Sequence, residues 1–109
     1  MSTTVFETLS DPTRRRIVEE LRLGERAVGE LVDTVEIAQS GVSRHLRILA
    51  EAGFVRVRAE GQRRVYSLQP EPFQAIDAWL ADYRQLWEAR LDRLGVELER
   101  RARTRSEST

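Results

Sequence analysis

The stretch Gln39-Ser-Gly-Val-Ser-Arg-His-Leu-Arg-Ile-Leu-Ala-Glu-Ala-Gly53 decides the fold. Val42, Leu46 and Leu49 recur at i, i+4 and i+7, the spacing of one face of an α-helix. With Val42 at the origin of a helical wheel, Leu46 falls at about 40° and Leu49 at about 340°, so these three define a buried side. Ser43, Arg47, Ser40 and Arg44 then fall at about 100°, 140°, 160° and 200°. The solvent side is therefore small near its start and basic beyond it. His45 lies at the margin of the buried side, and Gly53 supplies the residue that ends the helix.

On the N-terminal side the pattern stays helical. Val28, Leu31, Val32 and Val35 line one face of a short helix, and Glu36 to Ala38 form the turn into the next. Two helices joined by so short a turn make a helix-turn-helix. Before them, Asp11 caps and Pro12 opens a helix carrying Ile17, Val18, Leu21 and Leu23, which Gly24 ends. Val5, Phe6 and Leu9 predict a short amphipathic helix at the start of the chain.

Beyond Gly53 the period drops to two. Val55, Val57 and Ala59 alternate with Arg56 and Arg58, Glu60-Gly61-Gln62 turns, and Arg64, Tyr66 and Leu68 share one side of the return strand, with Val65 on the other. This predicts a β-hairpin over 55–68 with a basic tip. Pro70 and Pro72 end the strand and open one long helix reaching about Arg101, spanning roughly 45 Å. Its apolar positions run from Phe73 and Ile76 through Trp79, Leu80, Tyr83, Leu86 and Trp87 to Leu91, Leu94 and Leu98. Residues 102–109 are polar and expected to fray.

The order predicts a mainly α fold with a β-hairpin wing, a winged helix-turn-helix. A DNA-binding core over 10–69 would be flanked by dimerisation helices at 1–9 and 70–101, all in one domain of 109 residues. Trp79, Leu80, Tyr83, Trp87 and Leu91 present more apolar surface than so small a core can cover. Together with Val5, Phe6 and Leu9 they are the candidates for the contact with a second copy.

The charge is balanced overall, with 18 basic and 18 acidic residues, but it is segregated along the chain. Residues 1–38 carry five Arg against eight acids, residues 39–68 six against two, and residues 69–109 seven against eight. The excess of positive charge sits where phosphate contacts would be useful. Gln39, Ser40, Ser43 and Arg44 are the candidates for base-edge contact, and Arg47 for phosphate. Arg58, Arg63 and Arg64 of the hairpin would reach an adjacent minor groove or its phosphates. Taken singly, the same residues also fit a solvated surface helix and a charged turn. A winged-helix module that binds protein partners instead of DNA is the alternative; a monomeric nucleoid binder of the same fold is a further one.

Cysteine is absent, which excludes disulfides, thiolate metal sites and cysteine nucleophiles. A lone histidine makes neither a conventional zinc site nor a catalytic triad on this helix, so no enzyme, metal or cofactor is expected. No apolar run has the length of a membrane span or of a signal core, and a cytoplasmic location is expected.

Four stretches, Leu9-Ser-Asp-Pro-Thr-Arg-Arg-Arg-Ile17, Val28-Gly-Glu-Leu31, Gln39 to Val55 and Glu60-Gly-Gln-Arg-Arg-Val-Tyr-Ser-Leu68, resemble the ArsR/SmtB family of bacterial repressors. The resemblance covers about residues 5–90 and is most specific from Ser43-Arg44-His45-Leu46 to Gly53. It implies a homodimer that represses transcription by binding an inverted-repeat operator in double-stranded DNA and is released by an inducer. The family's cysteine-containing box would follow Glu30-Leu31, where this chain reads Val32-Asp33-Thr34-Val35. The family's interfacial metal site needs Asp and His on the last helix, which offers Asp77 and Asp82 but no His. The resemblance is therefore to the metal-independent branch, and the inducer stays unassigned.

Overall fold

The computed structural model describes residues 3–107. Its elements are α1 (Thr3–Leu9), α2 (Pro12–Arg22), β1 (Arg26–Ala27), α3 (Val28–Val35), α4 (Gln39–Glu51), β2 (Val55–Glu60), β3 (Arg63–Leu68), α5 (Glu71–Ala81) and α6 (Arg84–Glu107). They fall into two compact units, residues 1–76 and residues 77–109.

In the first unit the apolar stripes of three helices meet. Ile17, Val18 and Leu21 of α2, Leu31 and Val35 of α3, and Val42, Leu46 and Leu49 of α4 form one buried cluster with Phe54 and Val55. Phe54 is fully buried and meets the edge of Phe73 at a ring distance of 5.5 Å, a favourable T-shaped pair that fastens the start of α5 to the core. Asp11 caps α2 as expected: its Oδ1 accepts the N–H of Thr13 at 2.8 Å and of Arg14 at 3.1 Å. The turn between α3 and α4 is Glu36 to Ala38, and Glu36 takes the left-handed conformation at φ 57° that closes α3.

The sheet is larger than the predicted hairpin. β1 adds to it as a third antiparallel strand, in the order β1-β3-β2, with Arg26 opposite Tyr66 and Ala27 opposite Val65. Two residues carry no periodic signal, so only the folded chain reveals this strand. β2 and β3 pair from Val55–Leu68 to Glu60–Arg63, and Gly61 at φ 63° opens the two-residue turn between them, as a II′ turn requires.

Two further expectations are corrected. The long C-terminal helix is not continuous, because it breaks between Ala81 and Arg84. There the N–H groups of Asp82 and Tyr83 bond back three residues, to Trp79 and Leu80, which tightens the backbone out of α-helical register. Ala81-Asp82-Tyr83 contains neither Pro nor Gly, so nothing in the sequence marked the break. Nor does the last helix end at about Arg101: α6 runs on to Glu107. Glu97 pairs with Arg100 and Arg101 one turn on, and the Thr104 hydroxyl bonds to the Arg100 carbonyl, which supports the last turns. Ser108 and Thr109 of the expected tail, and Met1 and Ser2 of the expected N-terminal helix, lie outside the described residues.

Candidate nucleic-acid interface

The buried face of α4 takes Val42, Leu46, Leu49 and His45, and this fixes what the opposite face presents. Gln39, Ser40, Ser43, Arg44 and Arg47 are all exposed. No side chain caps the start of α4: Ala38 occupies the N-cap, and its carbonyl takes the N–H groups of Gly41 and Val42. The first backbone donors of the helix are thereby left to face outward, a disposition suited to an anion.

Between α3, α4 and the sheet runs an open groove of about 970 Å³. Val28, Val32, Leu46, Ala50, Val57 and Tyr66 give it an apolar lining, Gln39, Ser43, Arg47, Gln62, Arg63 and Arg64 a polar and basic one, and Glu30 and Asp33 add two carboxylates. Residues from α3, α4 and both strands of the hairpin thus share one surface. The register explains why Arg64 belongs there: it lies opposite Ala59, and Tyr66 opposite Val57, on the groove side of the sheet.

Not every candidate enters this groove. Ser40 and Arg44 are exposed on α4 but do not line it. Arg58 alternates to the other face of the sheet, opposite Val65, and its guanidinium pairs with Glu25 at 3.1 Å and Glu60 at 3.0 Å. Arg63 lines the groove but is held by Glu30 of α3 at 2.9 Å. Among the described residues, Arg44, Arg47, Arg56 and Arg64 form no ion pair.

Sequence reasoning misses Gln62, which reads as a turn residue, and Glu30, whose place three residues after Ala27 lacks the Ser or Thr that would mark a capping box. It also misses Arg14, which lies behind α4 with a side chain only 15% exposed. Arg14 Nε donates to the Thr8 carbonyl at 2.7 Å, Nη2 to the Glu7 carbonyl at 3.4 Å, and Nη1 lies 3.5 Å from His45 Nδ1. At that distance the contact is weak, and His45 is held mainly by its burial under α4. His45 is thus a structural contact under α4, as its place on the wheel implied. The hydrogen bond from the Arg14 N–H, aided by that from Thr13 and by the Arg14 charge, holds the Asp11 carboxyl below its ordinary value against the cost of partial desolvation.

Of the interface candidates, Val5 and Leu9 are half-buried against the core of their own unit, while Phe6 is 43% exposed. In the second unit Trp79, Leu80, Tyr83, Trp87 and Leu91 are all exposed, with Trp79 and Tyr83 in ring contact at 4.9 Å. Among the described residues no group of three or more His, Cys, Asp or Glu could hold a metal ion, and no helix is long and apolar enough to cross a membrane.

Three stacked helices, a three-strand sheet ending in a basic hairpin, and an exposed polar face on the third helix define a winged helix-turn-helix protein. The model of a helix-turn-helix domain matches residues 9–58. The HTH-type transcriptional regulator Rv2034 of Mycobacterium tuberculosis is 44% identical over 65% of this chain and 66% of its own length. The arsenic resistance transcriptional regulator ArsR1 of Pseudomonas putida is 42% identical over 76% and 68%, and the transcriptional repressor SdpR of Bacillus subtilis 33% identical over 72% and 88%. This chain thus spans about two thirds of the length of the first two. Among solved structures, an ArsR family transcriptional regulator matches with a TM-score of 0.70 at 35% identity, over 79% of this chain and 89% of that one. A homodimeric winged helix-turn-helix DNA-binding domain from Mycobacterium bovis matches with a TM-score of 0.62 at 28% identity, over 73% and 77%. The chain belongs to the ArsR/SmtB family of DNA-binding transcriptional regulators, which are not enzymes.

Proposed function

We propose that this chain is a cytoplasmic, homodimeric repressor that binds an inverted-repeat operator in duplex DNA. α4 enters the major groove, with Gln39, Ser40, Ser43 and Arg44 at base edges and Arg47 at phosphate. The wing meets the adjacent minor groove or its phosphates through Arg64, with Arg63 beside it; Arg58, on the other face of the sheet and paired with Glu25 and Glu60, is left out of this contact. The observation that carries this reading is the shared groove, to which α4 contributes Gln39, Ser43 and Arg47 and the hairpin contributes Gln62, Arg63 and Arg64. Phe6 and the exposed apolar residues of α5 and α6 contact the second copy, with Val5 and Leu9 behind Phe6. Two-fold symmetry then sets the recognition helices about 34 Å apart, one turn of duplex. The inducer is not a thiolate-bound metal, since the chain has no cysteine.

The test is selection of bound fragments from the parent genome, followed by binding titrations on the recovered site and sedimentation to give the mass. Arg44→Ala should cost about 1–3 kcal/mol on the selected site and little on random duplex. Arg64→Ala should weaken both equally and lower the log–log salt slope by about 0.9. If neither variant changes affinity, the assigned face is wrong. A protein with no salt-dependent affinity for duplex would instead be an interaction module.

A further inference from the structure

Glu30 stands at the start of α3, where its Oε1 accepts the Ala27 N–H at 3.1 Å. The same oxygen accepts from Arg63 Nη2 at 2.9 Å, reaching across 33 positions of sequence. Glu30 is therefore anchored by the helix start before it meets the wing, and the wing arginine comes to a fixed acceptor. It is also one of two carboxylates lining the groove, with Asp33 one turn on. A duplex in this groove would meet a negative charge already bonded to the cation meant for its phosphate.

We propose that Glu30 is a positioning residue that governs the wing's share of DNA affinity by competing with phosphate for Arg63. The inference rests on the duplex-binding reading above. When phosphate takes Arg63, the Glu30 carboxylate loses its partner and is left beside the phosphate, so the contact costs an ion pair and adds a like-charge repulsion. Arg64, with no ion pair among the described residues, meets phosphate without that cost. The pair thus restrains binding to arbitrary sequence, where phosphate contacts supply nearly all the affinity.

A double-mutant cycle on a 30-base-pair random-sequence duplex tests this, with affinity read from 50 to 200 mM salt. Glu30→Gln keeps an acceptor for the Ala27 N–H and removes only the charge. It should tighten binding about 2–5-fold at 50 mM salt, the size of an exposed ion pair, with the gain shrinking at 200 mM. Arg63→Ala should abolish that gain in the Glu30→Gln background. An equal gain with and without Arg63 would show a general field effect and overturn the proposal. So would a loss of affinity in Arg63→Ala alone as large as that in Arg64→Ala, a result that decides the matter even if Glu30→Gln does not fold. A native chain with no salt-dependent duplex binding would sink the functional reading along with it, whereas the two preceding results sink the proposal alone.

Discussion

Replacing Arg14 by alanine should cost the fold about 2–3 kcal/mol. The Nε bond to the Thr8 carbonyl is short at 2.7 Å and charge-assisted, in a side chain only 15% exposed. Such a bond contributes about 1.5–3 kcal/mol. The approach to Asp11 at 3.8 Å is longer and wetter, and adds about 0.5 kcal/mol. The contacts with Glu7 and His45 are long and add little one by one. Arg15 provides the internal control. Its Nη1 bonds to the Leu9 carbonyl at 2.7 Å and the Ser10 carbonyl at 3.2 Å, on the same end of α1 but exposed to water. Arg15→Ala should therefore cost about 0.5 kcal/mol or less. Arg14→Lys should recover part of the loss, since an ammonium can serve the Thr8 carbonyl but cannot also reach His45 in a rigid fork. Urea denaturation reads all three variants as shifts in midpoint at constant slope. A loss for Arg14→Ala no greater than that for Arg15→Ala would refute the account of how α1 is fastened behind α4.

Two other perturbations follow from the local geometry. Because folding lowers the Asp11 carboxyl below its ordinary value, its contribution is complete above about pH 4 and is lost as pH falls through the lower folded value. The urea midpoints of the native chain and Asp11→Asn should accordingly converge from about pH 5 down to pH 2, and a gap constant over that range would contradict the assignment. Glu36 holds φ 57°, a conformation disfavoured for a residue with a Cβ, so Glu36→Gly should stabilise the fold by about 0.5–1 kcal/mol and raise Tm by a few degrees. A lower Tm would show that the Glu36 side chain makes a contribution its exposed position does not account for.

Local chemistry was legible residue by residue. The Asp11-Pro12 start, the Val42–Leu46–Leu49 stripe, Gly53 and the Gly61 turn each act within a few positions of themselves, and each appears where the pattern put it. The break at Asp82-Tyr83 was not legible, because a pair of three-residue hydrogen bonds leaves the apolar spacing around it undisturbed. The continuation of α6 beyond residue 101 is hidden for a different reason: a polar tail reads as irregular, although Glu97 and its two arginines are spaced for helical pairing.

By itself the sequence determined the helices before the hairpin, the turn between α3 and α4, the hairpin and the crowding of positive charge between residues 39 and 68, because periodicity, capping and composition are properties of neighbouring residues. Only the tertiary structure decided which of those charges stay uncommitted. Arg58 is bound by Glu25 and Arg63 by Glu30, while Arg47 and Arg64 share the groove without an ion pair among the described residues. It also recruited Arg26–Ala27 as a third strand and turned Val5 and Leu9 toward their own core. The physical reason is common to all of these: an ion pair across 33 positions, or a strand of two residues, depends on where the chain crosses itself, and no local pattern encodes that crossing.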